Sequence, residues 1–190
     1  MLCFDSHWDN VMPPQPEARD LDRLFASVAH LQAFYPQFRP WFWGKVVAGL
    51  ASGSRALLSV HAGSTLTAIA ILKREPDERK ICTFWVAPRA RKLGVGTRLL
   101  HDSLTWLDCD RPLITVCQER VGELQPLLRK FDFTLEQVCD SSYRPGRLEY
   151  VFNGSAVQSE DAFQRHDIST LHLEGWTPAA FGLPSGRVNL

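Results

Sequence analysis

Along the chain, apolar positions recur first with a helical period and then with a strand period. Leu21, Leu24, Phe25, Val28 and Leu31 stand at spacings of three and four, which predicts an amphipathic helix within "EARDLDRLFASVAHLQAF". The prolines of "YPQFRPWFWGKVVAGLASGS" interrupt that helix, and a second is expected from about Pro40 to Leu50, closed by the Ser- and Gly-rich turn. The pattern then alternates. "RALLSVHAG" and "TLTAIAILKRE" read as two strands of a hairpin joined by "AGST", and "RKICTFWVAP" reads as a third strand stopped by Pro88. Val95, Leu99, Leu100, Leu104 and Leu107 restore the helical period. "RPLITVCQ" is a short buried strand, "VGELQPLLRKF" a helix whose upstream reach Pro126 restricts, and "DFTLEQVCDSSYRPGRLEYVFNG" two strands around a type II turn at Pro145-Gly146. The order α α β β β α β α β β describes an α/β domain on a mixed sheet. The first sixteen residues supply one short strand at most, in "DNVMPP". From Ser155 to Leu190 periodicity fades, so residues 1–154 are expected to form the domain and 155–190 a C-terminal extension, either one short strand or a loosely docked tail.

Composition narrows the classes. A chain of 190 residues with 45% hydrophobic and 22% charged residues suits one globular domain with a sizeable core. Twenty-one basic and 21 acidic residues cancel, so no global field draws the molecule to nucleic acid or an anionic membrane, and any anion site is local. No apolar run approaches the ~20 residues that cross a bilayer. "MLCFDSHWDN" lacks the basic start of a secretory signal. The five cysteines, Cys3, Cys82, Cys109, Cys117 and Cys139, are scattered without C-x-x-C pairing, which indicates neither a zinc site nor a disulfide framework and favours a reducing cytoplasm. The six histidines show no ligand spacing, so no metal is expected.

One local field does exist. "APRARKLGVG" concentrates Arg89, Arg91 and Lys92 ahead of Gly94 and Gly96, with Arg98 just beyond, at the junction of a strand and a helix. Free N–H groups at a helix N-terminus and the helix dipole favour a phosphate there, and glycines let it approach the backbone. Arg91, Lys92 and Arg98 are expected to add charge-assisted hydrogen bonds, and a solvated basic bend is the bland alternative. A P-loop is excluded because Thr97-Arg98 follows Gly96 where Lys-Ser/Thr is required, and a dinucleotide fingerprint fails at Leu99, where a third small residue is needed.

"V-A-P-R-A-R-K-L-G-V-G-T-R-L-L" resembles the acetyl-CoA signature of the GNAT (Gcn5-related) N-acetyltransferases, Arg/Gln-x-x-Gly-x-Gly/Ala, filled here by Arg91, Gly94 and Gly96. The element order from the first helix to Asn153 is also that family's order. The resemblance implies the GNAT acyltransferase fold, a mixed, mostly antiparallel sheet flanked by helices, with acetyl-CoA as co-substrate and an amine as acceptor. It implies that Phe84, Trp85 and Val86 line the pantetheine arm, that the Val86 N–H stabilises the oxyanion, and that Arg91, Lys92, Leu93, Gly94, Val95, Gly96 and Thr97 hold the pyrophosphate. For Trp85, packing in the core is an equal alternative.

The acceptor amine must be neutral to attack, which at pH 7 costs a lysine about 4.6 kcal/mol and an α-amine about 1 kcal/mol. Glu119, at the end of the strand "LITVCQE", is the candidate base, against a plain solvated strand end, and the balance favours a low-pKa amine or a water relay. The helix tyrosine that many family members use as acid is Leu128 here, and Asp132 replaces the glycine after it. Tyr143, in the hairpin turn, is the substitute acid. The aromatic run Phe34 to Trp43 falls where the family builds one wall of the acceptor site, or else belongs to the core. Two other readings stay open: a cofactor-binding regulatory module without catalysis, and a toxin-like acetyltransferase with a protein partner docked on the extension. A homodimer is compatible with the sequence; nucleic acid and membrane are not favoured as partners.

Overall fold

A computed structural model describes residues 18–140, 144–154 and 164–166. Helix α1 (Ala18–Val28) continues into a 3-10 turn at Ala29–Ala33, and its apolar stripe of Leu21, Phe25 and Val28 is buried. The second helical stretch changes pitch on the way. It runs from α2 (Phe38–Trp41) through a π turn (Phe42–Val46) into α3 (Val47–Ser52). Its buried residues Phe38, Phe42, Val46 and Leu50 recur every fourth position, which overruns the 3.6-residue α period; the wider π turn keeps all four facing the core.

Seven strands follow: β1 (Arg55–Ala62), β2 (Thr65–Arg74), β3 (Arg79–Val86), β4 (Leu113–Cys117), β5 (Leu135–Asp140), β6 (Leu148–Phe152) and β7 (Gln164–His166). They form one sheet in the order β1-β2-β3-β4-β6-β5-β7. Every pairing is antiparallel except β3 with β4. Helix α4 (Val95–Leu107) makes the crossover between those two, and α5 (Gln118–Lys130) joins β4 to β5. Helices α4 and α5 cover one face through Val95, Leu99, Leu107, Val121, Leu124 and Leu128. The segments α1 to α3 cover the other with Phe25, Phe42 and Val46 against Leu57, Ile69 and Ile71.

The turn at Arg144–Arg147 has Pro145 and Gly146 at its centre, Gly146 at φ +69°, and an Arg147 N–H to Arg144 carbonyl bond, as a type II turn requires. Pro126 does not limit α5. The helix begins eight residues earlier, at Gln118, because its buried stripe docks on the sheet. Glu119 accordingly lies in the first turn of α5, not at the end of a strand. Among the described residues no helix is long and apolar enough to cross a membrane.

Candidate functional site

The sheet is interrupted at one place. Strands β3 and β4 pair only at Lys80–Leu113 and Ile81–Ile114, and beyond Ile81 they diverge. A β-bulge lies at the same point: Leu72 of β2 opposes Ile81 but Ile71 opposes Thr83, leaving Cys82 as the extra residue. A bulge bends and twists the strand that carries it, and here it turns β3 away from β4. The Ala87 N–H donates to the Thr67 carbonyl, so on β3 the residues in phase with Ala87 bond β2, while Phe84 and Val86 turn their backbone groups to the gap. Two guanidinium groups reach in from the gap side. Arg120 Nη1 donates to the Phe84 carbonyl at 3.1 Å and Arg91 Nε to the Val86 carbonyl at 3.2 Å. Both also meet Glu123 Oε1, at 3.1 and 3.0 Å, so one carboxylate on α5 ties the loop after β3 to the buried Arg120.

The freed strand leads into the N-terminus of α4. Gly94 is its N-cap at φ +84°, with no side-chain cap, and the first backbone bond into the helix is from the Arg98 N–H to the Gly94 carbonyl. The N–H groups of Val95, Gly96 and Thr97 therefore have no partner within the helix. Lys92 is held at φ +61°, a left-handed conformation uncommon for a side chain of its size. A Cβ at Gly94 would meet nothing within 4 Å, so that glycine is required by backbone angle. A Cβ at Gly96 would stand 3.4 Å from Val86 and 3.5 Å from Leu127, so that glycine seats α4 closely on β3 and α5.

On the opposite face, titratable groups collect where the gap opens. Cys117 ends β4 and is paired across the ladder with Glu149 of β6, which in turn pairs with Cys139 of β5. The Glu149 side chain is 1% exposed, and neither carboxylate oxygen has a hydrogen-bond partner among the described residues. Burial pushes its carboxyl up to about 8. Tyr35, between α1 and α2, hydrogen-bonds the Cys117 thiol, and burial raises both groups, with Glu149 adding to each shift. At the rim, Arg144 Nη2 binds Glu119 Oε2 at 2.7 Å, with Arg147 Nε 3.7 Å from the other oxygen, and the Arg144 bond holds the Glu119 carboxyl below its usual range.

The sequence profile of the acetyltransferase (GNAT) family matches residues 7–120. The chain belongs to that family. No curated protein sequence matches it. Among solved structures it resembles Arabidopsis thaliana Naa50 in complex with a bisubstrate analogue, CoA-Ac-MVNAL, at 16% identity over 74% of this chain and 95% of that one, with a TM-score of 0.57. A GNAT-family acetyltransferase from Desulfovibrio desulfuricans superimposes over 71% and 91% of the two chains at 15% identity and a TM-score of 0.56. The PaiA N-acetyltransferase of Thermoplasma acidophilum, crystallised with coenzyme A, covers 73% and 94% at 15% identity and 0.51. At these identities the likeness establishes the fold.

In this GNAT chain the residues singled out from sequence are only partly gathered. The backbones of Phe84 and Val86 border the gap while their side chains enter the core under α4 and α5. Trp85 faces the other way, its ring 5.3 Å from that of His30. Arg91 is occupied by Glu123 and Arg98 by Asp102, at 3.0 Å each, which leaves Arg89 and Lys92 as the loop cations without an ion pair among the described residues. Leu93 is 63% exposed at the loop's tip. Leu128 is buried in the core, and Asp132 takes the family's glycine position at φ +55°, the left-handed angle that short polar residues tolerate best after glycine. Tyr143 lies outside the described residues. The aromatic run divides: Phe38 and Phe42 pack with Phe25 in the core, while Trp41 and Tyr35 line a cavity. Glu149, Cys117 and the Arg120–Glu123 pair were not foreseen, and Tyr35 was foreseen only as part of the aromatic run. A lone carboxylate in "LEYVF", in phase with Val151 on a strand bound for the middle of the sheet, was the available signal.

Proposed function

We propose that this chain is an acetyl-CoA-dependent N-acetyltransferase that moves an acetyl group to a primary amine by direct attack. The observation that carries the reading is the edge of β3 freed beyond Ile81 and leading into the uncapped N-terminus of α4. An edge strand with inward-turned amides suits the amide-bearing arm of the donor, and free helix amides suit its diphosphate. In this reading Arg91, Lys92, Leu93, Gly94, Val95, Gly96 and Thr97 form the phosphate loop through backbone groups, while the Arg91 side chain keeps the loop on α5. The Val86 N–H faces the thioester carbonyl. One well-placed donor to a developing oxyanion contributes about 2.7–4 kcal/mol. As the C–N bond forms and the C–S bond breaks, the thiolate leaves and takes a proton; Tyr143 is the proposed donor.

For the base, Glu149 is favoured over Glu119. Glu119 is neutralised by Arg144 and lowered, whereas Glu149 is buried, free of partners among the described residues, and poised near neutral pH. A base of that strength narrows the gap to an alkyl ammonium to about 3 kcal/mol, so the acceptor need not be a low-pKa amine. A second reading, a coenzyme A-binding module without catalysis, is favoured by Leu128 at the position of the family's acid. Acetyl transfer to a panel of amines separates the two readings. The parent assignment is tested by calorimetry with coenzyme A: Gly94→Val and Gly96→Phe should each weaken binding at least about tenfold, by strain in one and crowding in the other. Wild-type protein without affinity for coenzyme A would refute it.

A further inference from the structure

A cavity of about 250 Å³ lies beneath α2, walled by Tyr35, Phe38, Trp41, Arg55, Lys80 and Cys82. It shares Tyr35, Ile81, Cys82, Thr83 and Thr115 with the narrow cleft between β3 and β4, so the two adjoin along β3. Arg55 is built into its wall. A Cβ at Gly49 would fall 2.5 Å from Arg55 Cδ, so the glycine on α3 makes room for the arginine stem. The guanidinium stacks 5.8 Å over the Trp41 ring and donates to Cys82 Sγ at 3.3 Å. No carboxylate among the described residues pairs with it, and the same holds for Lys80. The other half-buried cation there, Lys73, is taken up by Glu75 at 2.9 Å and by Glu78. A fixed, half-buried guanidinium and a nearby ammonium without counter-charge, set in an aromatic wall, form an anion site with an apolar lining.

We propose that this cavity seats a carboxylate carried by the acceptor, so that the substrate is an amine with a carboxylate at the far end of an apolar chain. The proposal rests on the acetyl-transfer reading and names its acceptor class. A single negative charge fits better than a phosphate dianion, because Glu78 stands in the same wall. Length follows from the strand. Cys82, beside Arg55, and Val86, at the proposed oxyanion position, are separated by four residues of β3, on the order of 13 Å. The amine and the carboxylate of an α-amino acid are too close together to reach both. A carboxylate on a chain of several methylenes can do so, lying against Trp41 and Tyr35 with its ammonium end toward the Cys117–Glu149 corner. The step itself is unchanged: the ammonium loses a proton, its nitrogen forms the amide, and the thiol departs.

The test uses ω-amino acids from 4-aminobutanoate to 8-aminooctanoate beside their methyl esters, with the full-length protein and acetyl-CoA. The longer acids should exceed their esters in kcat/KM by at least about tenfold, mostly through KM, and the advantage should grow with chain length. Arg55→Gln should abolish that advantage while leaving the ester rates within about threefold and coenzyme A affinity unchanged; Lys80→Gln should abolish it too, but Lys80 also faces Glu149, so its ester rates are not the control. Gly49→Ala, which displaces Arg55 without touching charge, should lose the advantage too. Equal use of acids and esters by the wild type, or equal loss of both in Arg55→Gln, would overturn the proposal. Calorimetry with N-acetyl-8-aminooctanoate and its methyl ester reads the cavity without turnover, and no preference for the acid there would also overturn it. Failure to bind coenzyme A would instead remove the parent reading, whatever the carboxylate does.

Discussion

Glu149 shows how much one residue can decide. An isolated carboxylate inside the protein favours its protonated form, and its value of about 8 stands against 4.5 for an exposed glutamate. Between those two values the folded chain holds a proton that the unfolded chain has released, so this residue makes stability fall as pH rises through that window. Below the window it contributes nothing, and above it the loss is complete, on the order of 3–5 kcal/mol. Glu149→Gln removes the titration and keeps the shape. The variant should melt no higher than wild type at pH 4.5 and progressively higher from pH 5 to pH 9; a constant difference across that range would contradict the assignment. The same substitution should lower kcat/KM by about 10²–10⁴-fold and remove its rise with pH near 8. The groups that face Glu149 are Arg144 and Lys80, which lower its value, Glu119, which raises it, and Cys117, Cys139 and Tyr35 on the strands and turn around it. The one trace in the chain was the lone carboxylate of "LEYVF", and a glutamate beside a leucine and a tyrosine is marked as buried only when its strand is placed between two others. Gly94 was read as a place where a ligand approaches the backbone; the structure adds a left-handed angle, set by the turn in which it stands, that itself calls for glycine.

At the level of elements, the gap beside β3 depends on what holds its two sides. Arg91 and Arg120 occupy the carbonyls of Val86 and Phe84, and Glu123 receives both arginines. Glu123→Ala should leave Arg120, which is 8% exposed, without its carboxylate and cost about 1–3 kcal/mol of stability. With the loop no longer tied to α5, KM for acetyl-CoA should rise while kcat changes little, and steady-state kinetics with thermal melts would check both. A fall in kcat at constant KM would mean that the pair acts on chemistry and not on the loop. The elements themselves were largely readable, since each buries one face and writes that face into its period. Val95 to Leu107 was marked at both ends, and the strands of the first hairpin were marked by their alternation. What escaped was tertiary. Packing of Val121, Leu124 and Leu128 on the sheet carries α5 upstream of Pro126, and the four-residue spacing from Phe38 to Leu50 selects a π turn that no helical template includes. The bulge at Cys82 also had no local signature, although it sets where the site opens.

The described residues form a sheet with an apolar layer on each face, and the strand edges carry backbone groups that neither layer covers. Strand order could not be read from the chain: β6 lies between β4 and β5, so the last hairpin of the domain completes the sheet in reverse. Beyond it β5 would be an open edge, and there β7 pairs through Gln164 to His166 with Asp140 to Val138. A strand this short adds little burial, but it covers backbone groups that would otherwise offer a template to another chain. Ending the protein at Gly154 should therefore leave the cooperative unfolding of the two-layered core intact while exposing β5. Phe42, Tyr150 and Phe152, at 0% exposure, belong to the two layers on the faces of the sheet and not to its β5 edge. The expected result is a melting temperature within a few degrees of wild type at low concentration, coenzyme A affinity unchanged, and self-association that increases with concentration in light scattering. Because a paired strand differs from a docking segment for another protein, the truncated chain should regain its monodispersity when lysine replaces an edge position of β5 whose side chain is not fully buried. Val138 is fully buried, and Gln137, half-buried beside it, is the position for the substitution. If Gln137→Lys fails to suppress association in the truncated chain, edge pairing through β5 is not its cause.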